Sequence, residues 1–568
     1  MDEMIRKQYQ LWQEKATADA DLVNELKEMS SDEEKITDSF YRSLAFGTGG
    51  LRGTIGAGTN RMNIYTVAKA SQGLADYLLK KYGDGGMPSV VIGYDSRIKS
   101  DVFARTAAGV FAANGVKVRI WPRLMPVPSV SFAVRILGAC AGVMITASHN
   151  PAKYNGYKVY GDDGCQITTE AAAEILAEIE KADIFADVVQ ENFEAGTESG
   201  MIEYISDEVY TAFVEEVKKQ SVIRGESGIN RDVAIVYTPL NGTGLKPVLR
   251  TLKESGYTNI TVVKEQEQPD GNFPTCPYPN PEIQESMTLG IEYARKYNAD
   301  LLLATDPDCD RVGIAVKNSE GEYVLLSGNE TGLLLLDFIC ARRTESGTMP
   351  TDPVMIKTIV TTDLGERIAA HYGVRTINVL TGFKFIGEQI GLLEKKGQSD
   401  SYIFGFEESY GYLTGTYVRD KDGVNAAFMI CEMFAWYASR GISLLQRLQE
   451  LYQEYGYSLN TLHSYEFEGA AGFEKMQEIM EEFRKGMDNI GGKRVEKVLD
   501  YSVGLDGLPK SDVLKYLLED HCSVVVRPSG TEPKLKTYIS VSASNREQAQ
   551  EVERKIVEDL ERYTSKVF

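Results

Sequence analysis

Basic charge is in short supply in this chain. Lys and Arg number 61 against 82 Asp and Glu, a net charge of −21. Nucleic acid and anionic membrane surfaces both require a basic face, so both are poor partners. An anionic ligand would need a local cluster of Arg and Lys inside an acidic shell. Cysteine is sparse as well. The seven cysteines are odd in number and scattered, with no CxxC pair, which argues against a disulfide framework and a cysteine zinc site. Long apolar runs are missing: the greasiest stretch, residues 333–340, is too short to span a bilayer and contains Asp337. Residues 1–7 lack the basic-then-apolar order of a signal peptide, so a cytoplasmic setting is expected. The rest is ordinary for a soluble globular chain, 43% hydrophobic and 25% charged. A length of 568 residues implies three or four domains of roughly 150 residues each.

What is present is a repeated order of strand, loop, helix and strand. Residues 89–97 read as strand then loop, 101–114 as an amphipathic helix and 116–121 as a second strand. The order recurs at 233–237, a helix reaching 255, and 260–263, then again at 354–360, 364–371 and 374–379. Three such units, far apart in the chain, predict three related α/β domains rather than a solenoid. Residues 1–40 read as a helical arm with Leu11, Trp12, Leu22, Val23 and Leu26 at helical spacing. The last segment differs: strands at 523–527 and 536–541, then a helix opened by Asn545 with Gln548 as a capping box. Val552, Ile556, Leu560 and Tyr563 mark the buried stripe of that helix. It reads as a small α+β domain after a polar linker near 452–458. The expected divisions are 1–205, 206–322, 323–452 and 453–568.

Four loops carry chemistry. Thr146-Ala147-Ser148-His149-Asn150-Pro151 follows the apolar run 141–145, and a hydroxyl delivered after a buried strand is well placed to meet a ligand. No G-x-S-x-G surrounds Ser148, and His371, His463 and His521 read as structural or exposed, so a serine hydrolase is a poor fit. Asp306-Pro307-Asp308-Cys309-Asp310-Arg311 puts three carboxylates at alternate positions after the strand 301–305, with Arg311 alone to neutralise them locally. Hard divalent cations want such an oxygen-rich set. An EF-hand is excluded, since Arg311 and Lys317 occupy its Gly and Glu places. Glu407, Glu408 and Ser409 lie between glycines and aromatics, where acids and a hydroxyl suit sugar hydroxyls and flat rings suit sugar faces; an aromatic-rich turn with exposed acids is the bland alternative. Arg527-Pro528-Ser529-Gly530-Thr531-Glu532-Pro533-Lys534 gathers a guanidinium, two hydroxyls and a free amide, which fits a phosphate dianion. The stretch Phe46 to Gly53 is a glycine-rich loop holding Arg52, without a Walker ending.

As an ordered set, these motifs resemble the α-D-phosphohexomutase superfamily, in its glucose-type branch near the bacterial phosphoglucomutases and the phosphopentomutases. The resemblance runs from about Gly47 to the C-terminus. It implies an α/β fold of four domains around a central active-site cleft, with one loop from each. It implies that Ser148 is the phosphorylated nucleophile, and that Asp306, Asp308 and Asp310 hold one Mg²⁺ together with a Ser148 phosphoryl oxygen. Arg52, Lys158 and His149 would flank the transferring group. Arg311, Lys384, Glu407, Ser409, Arg419, Arg527, Ser529, Gly530 and Thr531 would bind substrate. Phosphomannomutase/phosphoglucomutase enzymes carry a histidine four residues after the sugar-loop Glu; here that place is Gly411, which favours glucose over mannose and leaves pentose open.

The implied reaction interconverts glucose 1-phosphate and glucose 6-phosphate, with glucose 1,6-bisphosphate as primer and intermediate. Lys158 is the candidate base, because cationic neighbours favour its neutral form. Phosphopentomutase or phosphomannomutase activity on the same scaffold is the nearest alternative. A rival would use Asp306 as an aspartyl-phosphate nucleophile, and a different class would be a non-catalytic phosphosugar-binding protein. Partners are expected to be small phosphosugars only, with the chain a monomer or weak dimer.

Overall fold

The computed structural model describes residues 2–47, 49–467, 469–529 and 534–565. Four sheets follow one another along the chain, each with helices packed against it. In the first sheet the apolar runs become the adjacent parallel strands Ser89–Tyr94 and Ala141–Ile145. Ala141–Ile145 is buried throughout, and a strand covered on both faces reads as a continuous apolar run rather than an alternation. Lys117–Ile120 and Ile202–Tyr204 extend the sheet in parallel. Tyr154–Tyr160 and Gly50–Thr54 close the other side as antiparallel strands.

The glycine-rich stretch is therefore largely a strand. Arg52 pairs opposite Gly156, and Gly50 opposite Lys158. Gly50 has φ 137°, and a Cβ there would stand 1.8 Å from the Tyr157 carbonyl oxygen, so only glycine fits. The N-terminal arm is three helices, Glu3–Lys15, Ala20–Glu28 and Glu33–Phe40. Trp12 is fully buried against the edges of Tyr65 and Phe185, both at 5.5 Å. That packing seats the arm on the first domain, with Leu22 and Leu26 inside and Leu11 and Val23 half-buried.

The second sheet runs Tyr323–Leu326, Val312–Lys317, Leu301–Thr305, Ile235–Thr238, Ile260–Val262. The third runs Arg375–Val379, Val354–Thr358, Tyr402–Glu407, Gly411–Leu413. Here the aromatic stretch departs from expectation. Tyr402, Phe404, Phe406 and Tyr412 are buried core residues, and Phe404 stacks on Phe406 at 5.4 Å. Their rings fill the sheet interface rather than face a sugar, because each belongs to a strand with both sides covered.

The fourth sheet is antiparallel and six-stranded, with Lys534–Ala543 between Tyr457–Glu466 and Cys522–Pro528. The expected linker shrinks to Gly456, at φ 94°, between the helix Leu444–Tyr455 and the strand Tyr457–Glu466. The final helix, Arg546–Ser565, is capped by Asn545 Oδ1, which accepts the Gln548 N–H at 2.9 Å. One apolar cluster links Val91 and Trp121 through Leu301 to Ile356 and Phe406, while the fourth sheet keeps its own core of Met480, Phe483, Val524 and Ile556. Across that seam Lys515 pairs with Asp363 at 2.7 Å.

Candidate active site

Three of the four loops leave the carboxyl ends of buried strands, the usual place for ligands in open α/β sheets. Ala141–Ile145 leads to Ser148, Leu301–Thr305 to the aspartates, and Tyr402–Glu407 to Ser409. Ser148 is 4% exposed and adopts φ 52°, a left-handed conformation that a serine holds only when its surroundings impose it. The Ser148 N–H donates to Thr146 Oγ1 at 2.9 Å, and Thr146 Oγ1 donates to Asp95 Oδ2 at 2.6 Å.

Arg97 does the rest. Its Nη2 donates to the carbonyls of Ser148, at 2.6 Å, and of Asn150; its Nη1 donates to those of Pro151 and Tyr154 at 3.0 and 3.1 Å. Its Nε lies 3.5 Å from Asp95 Oδ2, with both side chains fully inaccessible. The loop is thus wound around one guanidinium. Asp95 and Arg97 were not singled out from the sequence. The signal was a charged pair directly after a fully apolar strand, where a solvated turn was the simpler expectation.

The turn also changes the reading of His149. In an extended segment neighbours point apart, but the left-handed Ser148 turns both side chains one way. Ser148 Oγ lies 3.2 Å from His149 Nδ1, and donates to Asp306 Oδ2 at 3.2 Å. Burial, with Arg311 and Arg52 nearby, pushes the His149 imidazole down to about 2, so it is neutral at physiological pH.

Asp306, Asp308 and Asp310 are buried, each offering a carboxylate oxygen within 4.8 Å of the others. The Asp306 carboxyl is pushed well above its ordinary value by burial and by the two neighbouring acids. Its Oδ1 accepts the N–H groups of Asp310 and Arg311, both at 3.0 Å. Asp308 Oδ1 and Asp310 Oδ1 have no hydrogen-bond partner among the described residues. Buried carboxylate oxygens without donors are costly unless a cation meets them. An all-oxygen set of this kind fits a hard divalent ion, with the Ser148 oxygen as a further donor.

The loop is held from other modules: Val127 N donates to Asp308 O at 2.9 Å and Gly423 N to Cys309 O at 3.0 Å. A Cβ at Gly242 would stand 2.4 Å from Pro307 Cα. Two lysines reach into the triad. Lys158 Nζ is 3.0 Å from Asp308 Oδ2 and 3.6 Å from Asp310 Oδ2; Lys421 Nζ is 3.0 Å from Asp310 Oδ2. Lys421 and Glu282, which pairs with Arg311 Nη1, escaped the sequence reading because neither lies in a recognisable motif. Arg52 sits at the open side, its Nη1 donating to Asn150 Oδ1 at 3.2 Å.

A cavity of about 470 Å³ lies beside these groups, and all four sheets contribute to it: His149 from the first, Arg311 from the second, Glu408 and Ser409 from the third, Arg527 and Lys536 from the fourth. Glu407 lies just beneath, 5% exposed, its carboxyl pushed up to about 7 by burial. Ser529 N donates to Lys534 O at 2.7 Å, closing the base of the phosphate-type turn; Gly530 and Thr531 lie outside the described residues.

Two expected residues go elsewhere. Arg419 is fully buried, donating to the Thr416 carbonyl and to Glu394 at 2.7 Å. Lys384 lines a separate cavity of about 560 Å³ with Tyr82, Cys165 and Glu388.

The residue ranges 43–184, 209–321 and 327–455 match the alpha/beta/alpha domains I, II and III of the family described as phosphoglucomutase/phosphomannomutase, and 472–559 matches its C-terminal domain. A phosphoglucomutase of Staphylococcus saprophyticus is 38% identical over 538 residues, covering 92% of this chain and 95% of its own. One of Staphylococcus aureus (strain USA300) is 35% identical over 549 residues, covering 94% and 96%. The solved open form of a Paramecium phosphoglucomutase (pp63/parafusin) aligns with TM-score 0.72 at 17% identity, covering 93% of this chain and 95% of that one. A phosphoglucomutase/phosphomannomutase family protein from Burkholderia thailandensis aligns with TM-score 0.69 at 18% identity, covering 92% and 97%. At those identities the structural likeness is one of fold.

Proposed function

The chain belongs to the phosphoglucomutase/phosphomannomutase family, and from that premise we propose that it interconverts glucose 1-phosphate and glucose 6-phosphate through a phosphoserine enzyme and a bisphosphorylated sugar. Relatives named phosphoglucomutase across almost the whole chain support the sugar assignment. One observation carries the chemistry. The Ser148 hydroxyl, on a loop of the first sheet, lies 3.2 Å from Asp306 of a buried acidic triad on the second.

Phosphoryl transfer is mostly positioning and charge stabilisation. Asp306, Asp308 and Asp310 would hold Mg²⁺, which when bound draws charge from the phosphoryl oxygens of Ser148. Arg52 and Lys158 meet the remaining negative charge from the open side. Arg527 and Ser529, with Lys536 beside them, are set to hold the phosphate that is not reacting. Glu407 and Ser409 would grip the sugar hydroxyls between the two ends.

In the first step the bond between phosphorus and Ser148 Oγ breaks, and a bond to the 6-oxygen of glucose 1-phosphate forms. Lys158 is the proposed carrier of the proton that the sugar hydroxyl loses and the departing Ser148 oxygen gains. The bisphosphate then turns over in the cleft and returns its other phosphoryl group to Ser148. In that return step the transfer runs in reverse, the Ser148 hydroxyl passing its proton through Lys158 to the departing sugar oxygen, while neutral His149 Nδ1, 3.2 Å from Ser148 Oγ, orients the hydroxyl. Lys158→Gln should therefore slow both half-reactions in single-turnover measurements.

The test is a coupled assay with glucose 1-phosphate, Mg²⁺ and glucose 1,6-bisphosphate, run beside mannose and ribose 1-phosphates. Glucose turnover with acid-stable phosphate on Ser148 is expected. Hydroxylamine-labile phosphate on Asp306, or turnover of ribose alone, would overturn the assignment.

A further inference from the structure

Thr146 stands where two loops from different modules meet. It is fully buried, one residue past the strand that leads to Ser148. Its backbone is fixed independently of its side chain: the N–H donates to the Gly156 carbonyl at 3.1 Å, on the neighbouring strand that carries Lys158. A Cβ at Gly156 would stand 2.4 Å from the Thr146 carbonyl oxygen, so the two backbones lie in close contact. The hydroxyl makes three contacts. It accepts the Ser148 N–H at 2.9 Å, and it faces Asp95 Oδ2 at 2.6 Å and Asp308 Oδ2 at 3.2 Å. A hydroxyl has one hydrogen to donate, so two buried carboxylates from different modules share it.

The two acids are not equally provided for. Asp95 Oδ1 accepts the Arg97 backbone N–H at 2.9 Å and the Ser100 hydroxyl at 2.8 Å, and Arg97 Nε lies 3.5 Å from Oδ2. Asp308 receives the Lys158 ammonium at 3.0 Å, again on Oδ2, while its Oδ1 has no hydrogen-bond partner among the described residues. The first module thus grips Asp308 by one oxygen and leaves the other bare. A buried carboxylate oxygen without a donor is costly unless a cation meets it.

We propose that Thr146 is a positioning residue. Its hydroxyl ties the turn that aims Ser148 to the carboxylate of Asp308, and so fixes which oxygen of that carboxylate is turned to the metal. The proposal rests on the mutase assignment above, which supplies the ion and the phosphoryl donor. Whichever acid takes the hydrogen, a lone pair of the hydroxyl remains for the Ser148 N–H. Removing the hydroxyl strands that N–H and leaves Asp308 to Lys158 alone. Groups that orient a metal ligand without touching the ion are typically worth about 10- to 100-fold in affinity or activity.

The experiment uses the full-length dephospho-enzyme. Mg²⁺ is titrated into it by calorimetry, and phosphorylation of Ser148 by glucose 1,6-bisphosphate is followed by intact mass at saturating Mg²⁺. Two variants divide the side chain between them. Thr146→Val keeps the branched shape that suits an extended chain and removes the hydroxyl; Thr146→Ser keeps the hydroxyl and removes the methyl group. Expected for Thr146→Val is Mg²⁺ binding weaker by about ten-fold or more and phosphorylation slower by a similar factor. Thr146→Ser should stay within a few-fold of the parent in both. A threonine that only packed the strand end would give the reverse order, with Thr146→Ser the more impaired. Unchanged Mg²⁺ affinity or an unchanged phosphorylation rate in Thr146→Val overturns the proposal, as do equal losses in the two variants or a parent that binds no Mg²⁺. If Thr146→Val does not fold, Thr146→Ser decides: parent-like affinity and rate support the hydroxyl, and a loss of about ten-fold in either overturns it. Should the parent bind Mg²⁺ yet fail to convert glucose 1-phosphate, the mutase assignment falls while the titrations still judge Thr146.

Discussion

Replacing Arg97 by methionine removes the one group around which the serine loop is wound. The side chain is fully inaccessible, and its guanidinium serves the carbonyls of Ser148, Asn150, Pro151 and Tyr154 while pairing with Asp95. Taking one member from a buried ion pair costs about 3–5 kcal/mol. The orphaned carbonyls add about 1 kcal/mol or more each, less whatever water restores at the cleft side. A local loss of at least about 4 kcal/mol is therefore expected, a large part of the roughly 5–15 kcal/mol that holds a domain together. Without Arg97 the Thr146 Oγ1 contact to the Ser148 N–H is left to hold the strained φ of 52°, so the Ser148 hydroxyl should leave the position facing Asp306. Misplacing a reacting group by about 1 Å costs on the order of 100-fold in rate. The assay is transfer from glucose 1,6-bisphosphate to Ser148, followed by intact mass, beside steady-state turnover and a denaturant midpoint. Arg97→Lys should fall between, because an ammonium is a point donor that cannot span four carbonyls. If Arg97→Met phosphorylates Ser148 at the parent rate, the serine loop does not depend on that guanidinium, and the positioning role fails.

Chelation should abolish turnover and added Mg²⁺ restore it, while Asp308→Asn should weaken Mg²⁺ by at least about 100-fold in a calorimetric titration; undiminished affinity would remove the triad as the metal site. Glu432 gives a pH test: burial pushes its carboxyl up to about 7, and it accepts from the Ser221 hydroxyl and from Val222 N at 3.2 Å. Its neutral form is the one the fold favours, so stability falls as pH rises from about 4.5 to about 7, by up to about 3 kcal/mol. Glu432→Gln should be the more stable protein at pH 8 and should flatten that slope, read from denaturant midpoints at pH 5 and pH 8; an unchanged difference would refute it. Arg419→Met should lower stability by about 2 kcal/mol, softened because Glu394 is 44% exposed, with KM within a few-fold. A ten-fold rise in KM at unchanged stability would put Arg419 back in the cleft.

Sequence alone determined the elements whose signal is local. Uninterrupted apolar runs at 141–145 and 301–304 marked buried strands, because a strand covered on both faces has no polar side to show. The loops after them were legible since an acidic triad or a run of donors is conspicuous wherever it folds. What tertiary structure decided is which charges meet. Arg97, Glu282 and Lys421 acquire their roles from partners far along the chain, such as Lys421 with Asp310, and nothing local distinguishes them from solvated surface charges. Arg419, which reads in sequence as one more cation for an anionic cleft, is spent on Glu394 and a carbonyl inside the third domain. The aromatic run 402–412 was ambiguous for the same reason: whether a ring meets a sugar or a helix depends on what covers its strand, and only packing settles that. Left-handed Ser148 is the clearest case, since a conformation that costs energy locally is held by the distant Arg97 guanidinium on its carbonyl.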